Sequence, residues 1–220
     1  MTHVVHPYIH RIGIIRDWKS RWFGDKKRYK EFLKSDVLLR EFLEKKLRDL
    51  YVSSVEMERS DKVLKIIIKT SRPGMIIGRN GEGSKVLKED IEKFIAKNNF
   101  LSAASVKLDI EEIRSPESNA SIVAQMVREG LEKRLPFRRV LKQTVEKVMA
   151  NRDVLGVKVV VSGRLGGAEM ARKEEQKKGR IPLQTFRSDI DYAKETARLP
   201  YGGLGIKVWI YKGDIFPKKK

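Results

Sequence analysis

The segment from Val63 to Glu112 constrains this chain more than any other. Val63 to Thr70 alternates with the period of a strand, Leu64, Ile66 and Ile68 falling on one face and Val63, Lys65, Ile67 and Lys69 on the other. Arg72-Pro73-Gly74 closes it, and Pro73 can open a short helix through Met75, Ile76 and Ile77. Gly78-Arg79-Asn80-Gly81 follows. Next comes a helix to about Lys97, striped by Leu87, Ile91, Phe94 and Ile95, and then a strand from Ala104 to Glu112 with Val106, Leu108 and Ile110 inward. Two glycines at that junction let the backbone approach an anion that a Cβ would hold away. The helix start behind Gly81 adds unpaired N–H groups and the positive end of a dipole. Arg79 places a donor in the loop, and the Ile76/Ile77 side offers an apolar surface. The competing reading is a tight corner between two helices.

Around this segment the chain is organised in blocks. The first 30 residues interleave aromatic and basic side chains (Tyr8, Trp18, Arg21, Trp22, Phe23, Lys26, Arg28 and Tyr29) and read as an arm that orders against a partner. From Asp36 the pattern turns helical, with Leu39, Phe42, Leu43, Leu47 and Leu50 as the stripe and Ser35 or Asp36 as N-cap. Tyr51 to Glu58 reads as a strand and Ser60-Asp61-Lys62 as its turn. Ile113 to Glu117, with Pro116, is the expected boundary between domains. Beyond it, Ile122, Val123, Met126, Val127, Leu131 and Leu135 mark one amphipathic helix. Pro136 breaks it and opens another, striped by Phe137, Val140, Leu141, Val145 and Val148. Strand signals follow at Gly156 to Ser162, Ile181 to Phe186, Ile190 to Ala193 and Gly205 to Tyr211. The expected organisation is an arm (1–35), a first domain (36–112), a linker (113–116), a second domain (117–216) and a basic tail (217–220). The expected fold class is α+β, with a mixed sheet and helices on one face in the first domain. In the second, two helices lie against a mainly antiparallel sheet.

Charge narrows the function. Lys and Arg number 48 against 29 Asp and Glu, a formal charge of +19. Self-repulsion of that size favours a polyanionic partner, and nucleic acid leads. A membrane surface is the weaker rival, since the cations are spread over several elements and not gathered on one amphipathic helix. Residues 1–30 hold eight Lys/Arg against two Asp, residues 128–152 eight against three Glu, and residues 163–187 seven against three Glu. The chain has no cysteine, so thiolate catalysis, disulfides and Cys-based metal sites are excluded. No apolar run approaches the ~18–20 residues needed to cross a bilayer, and no signal-peptide core follows Met1, so a soluble intracellular protein is expected.

Strand, short apolar helix, GxxG, helix and strand together resemble a KH module, whose GxxG loop clamps a few nucleotides of single-stranded nucleic acid. A helix and a strand precede the first of these strands and no third helix follows the last, as in the type II arrangement of prokaryotic proteins. The resemblance then extends almost end to end, to the family of bacterial small-subunit ribosomal protein three. It is carried by Val5-His6-Pro7 with Arg11-Ile12-Gly13-Ile14 and Trp18 to Phe23, by Thr70 to Gly78 with Gly81-Glu82, and by Val161-Ser162-Gly163-Arg164-Leu165-Gly166-Gly167-Ala168-Glu169. Asp189-Ile190-Asp191-Tyr192 and Gly205 to Gly213 complete it. Two departures are read: Pro7-Tyr8-Ile9-His10 stands where the family often has a glycine soon after the proline, and after Phe216-Pro217 and three lysines the long C-terminal extension of some relatives is not expected.

The resemblance implies a non-enzymatic structural component of the small-subunit head, near the channel by which messenger enters. It implies binding to the 3′ major domain of 16S-type rRNA, contact with mRNA and with neighbouring head proteins, a cytoplasmic location in the ribosome, no membrane and no stable homo-oligomer. The positions matching the family's messenger-facing cations are Arg138, Arg139 and Lys142. Arg138 and Lys142 lie four apart on one helix face, able to hold single-stranded phosphates as a duplex frays; a solvated helix face is the bland alternative. Ribosomal RNA contacts are expected at Arg11, Lys19, Arg21, Lys26, Lys27, Arg28, Arg164, Arg172, Lys173, Lys177, Lys178 and Arg180, positioning the protein without reading base sequence. A free KH regulator or RNA-processing factor is the rival function.

No catalytic constellation emerges. Asp189 and Asp191 share a strand face, but beside Arg187 and Lys194 they read as salt-bridge partners, Asp189 and Glu169 holding neighbouring Arg side chains. His3, His6 and His10 lack a nearby carboxylate, so no metal and no cofactor is expected. Gly163, Gly166 and Gly167 around Arg164 do not form a Walker loop, since no Gly-Lys-Ser/Thr follows at the required spacing. Trp18, Trp22 and Phe23 either stack on bases or, more ordinarily, anchor the arm.

Overall fold

The computed structural model describes residues 5–60, 63–98 and 105–216, leaving aside the side chain of Lys27. The expected turn at Asp61-Lys62, the residues 99–104 (including the start of the strand read from Ala104), His3 and the 217–220 tail lie outside the described residues. The chain divides into two compact units, one of residues 18–114 and one of residues 1–17 with 115–220.

The first unit carries a four-stranded sheet in the order β1 (Ser20–Arg21), β2 (Val52–Arg59), β3 (Val63–Thr70), β4 (Ser105–Glu112), with helices α1 (Lys26–Lys46), α2 (Pro73–Ile77) and α3 (Glu82–Lys97). β2 and β3 are antiparallel, while β1 runs parallel to β2 and β4 parallel to β3, so the sheet is mixed. The apolar stripes meet in one core. Leu39 and Leu43 of α1, with Leu47 just beyond it, pack with Leu64, Ile66 and Ile68 of β3 and with Leu87, Ile91 and Ile95 of α3. Phe42 and Phe94 stack with centroids 4.5 Å apart.

α1 begins at Lys26, about three turns before the expected start, so the segment read as the end of the arm is helical. Ser35 and Asp36 therefore do not cap. They are buried in mid-helix, where Asp36 takes Arg59 through Oδ1 at 2.7 Å and Trp22 Nε1 through Oδ2 at 2.8 Å. A polar pair that reads as a helix start is here a buried anchor. Trp22 also packs on Tyr29 and Phe32, so it anchors this segment to its own unit, while Trp18 and Phe23 stay exposed.

The second unit is an antiparallel sheet in the order β6 (Arg172–Gly179), β5 (Gly156–Gly163), β8 (Gly202–Asp214), β7 (Ser188–Leu199), with α4 (Ala120–Glu132) and α5 (Phe137–Met149) on one face. Val123, Val127, Leu131, Val140, Leu141 and Val148 bury against Val157, Val159, Val161, Ile206, Val208 and Ile210. Asn119 caps α4 by accepting from the Ser121 N–H at 3.1 Å, and the Asp191 carboxylate accepts the Ala120 N–H at 2.8 Å. Two strand readings change. Residues 181–186 form no strand, and β6, whose sequence Arg-Lys-Glu-Glu-Gln-Lys-Lys-Gly lacks any apolar residue, is one. β6 is an edge strand, solvated on both sides, so its only sequence signal is charge.

Residues 5–17 belong to this second unit and complete it. Arg11 is fully buried: its Nε donates to the Ser188 carbonyl at 2.5 Å, Nη1 to Pro7 at 3.0 Å, and Nη2 to Leu183 and Thr185 at 3.0 and 2.9 Å. Arg16 pairs with Asp189 at 2.7 Å. His10 stacks on Phe186 and His6 meets the Tyr192 ring edge-on, so both histidines pack against aromatic rings.

Candidate nucleic-acid interface

In the first unit the glycine loop sits at the α2–α3 junction. Gly78 has φ +71° and Gly81 φ +78°, and Asn80 between them also takes a left-handed conformation at φ +51°. The turn throws Arg79 and Asn80 into solvent and leaves the first turn of α3 beside them, with Ser84 Oγ bonded back to the Gly81 carbonyl at 2.8 Å. The sequence pattern does not single out Gly83. A Cβ there would lie 2.6 Å from the Ile76 carbonyl oxygen, so α2 and α3 meet this closely only because residue 83 has no side chain. The available signal is a glycine two positions after the loop, inside a helix, where glycine is otherwise unfavourable. Of the apolar pair beside the loop, Ile76 is buried in the core and Ile77 is exposed, together with Met75 and Val86. The apolar surface thus comes from Met75, Ile77 and Val86, not from Ile76.

In the second unit, α5 buries Val140, Leu141, Val145 and Val148 and turns Arg138, Arg139 and Lys142 outward. Arg138 reaches Glu174 of β6 only at 3.4 Å and keeps 74% of its side chain exposed, while Arg139 and Lys142 have no acidic partner among the described residues. Arg172 of β6 lies over the Phe137 ring at 5.7 Å, as does Arg138, so strand and helix cations converge on the start of α5. Lys173, Lys177, Lys178 and Arg180 are exposed on or just after β6.

Several expected phosphate contacts stand differently. Arg11 is a correction: buried on carbonyl oxygens, it holds the arm to the second unit and offers nothing to RNA. Desolvation pulls its guanidinium below the ordinary arginine value, and the nearby Asp189 carboxylate offsets part of that. Arg21 is engaged across the first sheet by Glu56 at 2.7 Å and Glu58 at 3.2 Å. Arg164 folds onto its own glycine loop, Nε to the Ala168 carbonyl at 3.0 Å, though its side chain remains exposed. Lys19, Lys26 and Arg28 are exposed in the first unit. The carboxylates are structural: Asp189 serves Arg16, Asp191 caps α4, and Arg187 pairs with Asp214 and not with its strand neighbours. No cluster of potential metal ligands occurs among the described residues, and no described helix is long and apolar enough to cross a membrane.

Comparison with known proteins accounts for both units. A model of the KH domain matches residues 38–118, and a model of the ribosomal protein S3 C-terminal domain matches residues 127–210. The small ribosomal subunit protein uS3 of Caldicellulosiruptor saccharolyticus is 44% identical over 219 residues, covering 100% of this chain and 96% of that protein. The uS3 proteins of Clostridium perfringens and Clostridium tetani are 43% and 42% identical over 220 residues, with the same coverage. With such identity over its whole length, this chain belongs to the bacterial small ribosomal subunit protein uS3 family.

Proposed function

We propose that the chain is a non-enzymatic RNA-binding component of the small-subunit head, working in the cytoplasm as part of the ribosome. Its basic surfaces hold 16S-type rRNA in the 3′ major domain and its edges meet neighbouring head proteins. Arg138, Arg139 and Lys142 on α5 face incoming mRNA where it enters the subunit and assist its unwinding. The observation that carries the messenger assignment is the exposure of Arg139 and Lys142 without any acidic partner among the described residues, beside an Arg138 held only at 3.4 Å. Cations with internal partners would surrender a pairing to bind phosphate; these surrender only water and counterions. Strand separation then needs no nucleotide hydrolysis, since cations that hold frayed single strands bias the opening equilibrium. The exposed Lys19, Lys26, Arg28, Lys173, Lys177, Lys178 and Arg180 supply rRNA phosphate contacts, with Arg164 lending its remaining guanidinium edge.

The test has two parts. The protein should sediment stoichiometrically with small subunits and whole ribosomes through gradients at about 0.5 M salt, where a merely adhering basic protein washes off. Ribosomes carrying Arg138→Glu, Arg139→Glu and Lys142→Glu together should then translate unstructured messages normally and stall on stable hairpins. Equal rates on both messages would overturn the unwinding role. A second reading, a free KH regulator, draws on the exposed Arg79 and Asn80 beside the open start of α3; protein found mainly at the top of the gradient would favour it.

A further inference from the structure

The two sheets differ in the electrostatics of the face turned away from their helices, and on the second that face is covered by His6 at Tyr192 and exposed around its lysines. On the first, cations are answered across the strands: Lys65 lies 3.1 Å from Asp109, and Lys69 lies 2.7 Å from Glu56. On the second, α4 and α5 cover the face of Val157, Val159, Val161, Ile206 and Val208, and the opposite face is lysine-rich. Strand register sets Lys194 of β7 directly across from Lys207 of β8, and Lys158 of β5 directly across from Lys177 of β6. Like charges directly opposed on neighbouring strands weaken a sheet. The carboxylate among them is Glu175, which is already taken by Lys158 at 2.9 Å and Lys173 at 3.4 Å. Lys177, Lys194 and Lys207 have no acidic partner among the described residues, and all three are exposed.

We propose that this face of the second sheet is an RNA-backbone binding surface, separate from the α5 face, on which Lys177, Lys194 and Lys207 contact phosphates. The proposal rests on the chain's place in the small subunit and names a further surface by which it is held there. The occupant is chosen by what the face lacks as well as by what it carries. The apolar side chains that share this face, Val160, Ile190 and Tyr211, are themselves buried. Trp209 and Tyr192 lean on one another with centroids 5.2 Å apart and are half-buried, and none of the large exposed apolar side chains among the described residues lies here. A protein partner needs apolar anchors at the centre of its interface, whereas phosphates need only mobile cations. Repulsion between Lys194 and Lys207 in the free protein is relieved once a polyanion lies across both.

This design predicts opposite signs for two readouts of one variant. Lys194→Ala with Lys207→Ala should raise the melting temperature of the free protein, because a repulsive pair is gone. It should also weaken binding to a small-subunit rRNA transcript at least tenfold and flatten the dependence of affinity on salt by one to two ions. Unchanged rRNA affinity and salt slope would overturn the proposal. Because the chain has no cysteine, Lys207→Cys can carry a single iron chelate into reconstituted subunits. Hydroxyl-radical cleavage of rRNA from that position supports the surface. Assembled subunits without rRNA cuts, or with cleavage from that position of a neighbouring protein alone, overturn it while leaving the place in the small subunit intact. Failure of the unsubstituted protein to enter subunits at all overturns both.

Discussion

Arg11 and Ser188 lie 177 positions apart in sequence and 2.5 Å apart as donor and acceptor. The Arg11 guanidinium spreads over the carbonyls of Pro7, Leu183, Thr185 and Ser188, and no carboxylate among the described residues touches it. A buried charge held by main-chain oxygens is destabilising to disturb from either side: removing it leaves those carbonyls unpaired, and lysine cannot reproduce the planar fork. Arg11→Ala should therefore destabilise the second unit by about 3 kcal/mol or more, and Arg11→Lys should restore little of it. Trp209 in β8 reports that unit directly, so loss of its fluorescence transition at lower urea is the expected result. A variant that weakened RNA binding while unfolding like the parent would return Arg11 to the phosphate contacts.

Asp36 plays the corresponding part in the first unit. Arg59 and Asp36 are 5% and 2% exposed at their side chains, and Trp22 and Ser35 complete the group. Asp36→Ala takes a buried carboxylate from the Arg59 guanidinium, which lies 4.6 Å from the Phe32 ring, and should lower stability by roughly 3–5 kcal/mol, the range for breaking one side of a buried pair. Because Trp22 Nε1 loses its acceptor, its emission should shift red in the folded state, before any unfolding. An unshifted spectrum with unchanged stability would show that the pair is dispensable.

Gly83→Ala tests the loop through packing alone. Its Cβ would press on the Ile76 and Ile77 carbonyls at 2.6 and 3.0 Å, so α3 must move away from α2 and the Gly78 to Gly81 turn must open. The expected outcome is a loss of roughly 1–3 kcal/mol, as for overpacking elsewhere, and weaker binding of single-stranded RNA by the isolated protein. Arg79→Ala removes only an exposed donor, so it should weaken binding and leave the melting temperature alone. Equal behaviour of the two variants in both assays would argue against a shaped loop.

Acid should loosen the second unit through two carboxylates. Hydrogen bonds from Ser188 and Tyr211, with Arg187 alongside, hold Asp214 below its ordinary value, and Lys158 with Lys173 does the same for Glu175. A depressed carboxylate contributes its stability above the unfolded value, near 4, and loses it as pH falls through the folded value. The Trp209 transition should thus weaken below about pH 4, and less steeply in Asp214→Asn. At the other end, burial raises the Tyr211 and Tyr192 phenols. Their neutral forms are favoured in the fold, so that contribution is present below about pH 10 and disappears as pH rises through the folded values.

What could be read in the sequence was what repeats with a period or needs a glycine. Leu64, Ile66 and Ile68, the Leu87 to Ile95 stripe and the α5 stripe from Val140 to Val148 all lie in the cores that their spacing requires. The outward turn of Arg138, Arg139 and Lys142 followed from the same spacing. Hidden from it were features settled by residues distant in sequence. Asp36 resembles a helix cap until Arg59 and Trp22 are brought to it, and Arg11 resembles any arm cation until the 182–188 segment closes over it. β6 has no apolar period because an edge strand solvated on both sides needs none. Lys194 and Lys207 look ordinary as single lysines; only strand register places them opposite each other.

The α5 cations give the cleanest separation of binding from folding. Arg139 and Lys142 are exposed and unpaired among the described residues, so replacing both by glutamine should change stability by no more than about 0.5 kcal/mol. Their contribution to RNA affinity is electrostatic and blind to sequence. The double variant should bind unrelated single-stranded RNAs more weakly by a similar factor. The slope of log affinity against log salt should fall by about 1.4, or ~0.7 for each phosphate that is no longer neutralised. Arg138→Gln removes the same single charge but behaves differently, since it leaves Glu174 without its cation from α5. Its effect on affinity should exceed that of either neighbour alone when Glu174 is present and shrink when Glu174→Gln is added. A double-mutant cycle over Arg138 and Glu174, read in RNA binding and not in melting temperature, measures that difference. Strict additivity would show that the 3.4 Å pairing plays no part in presenting the arginine.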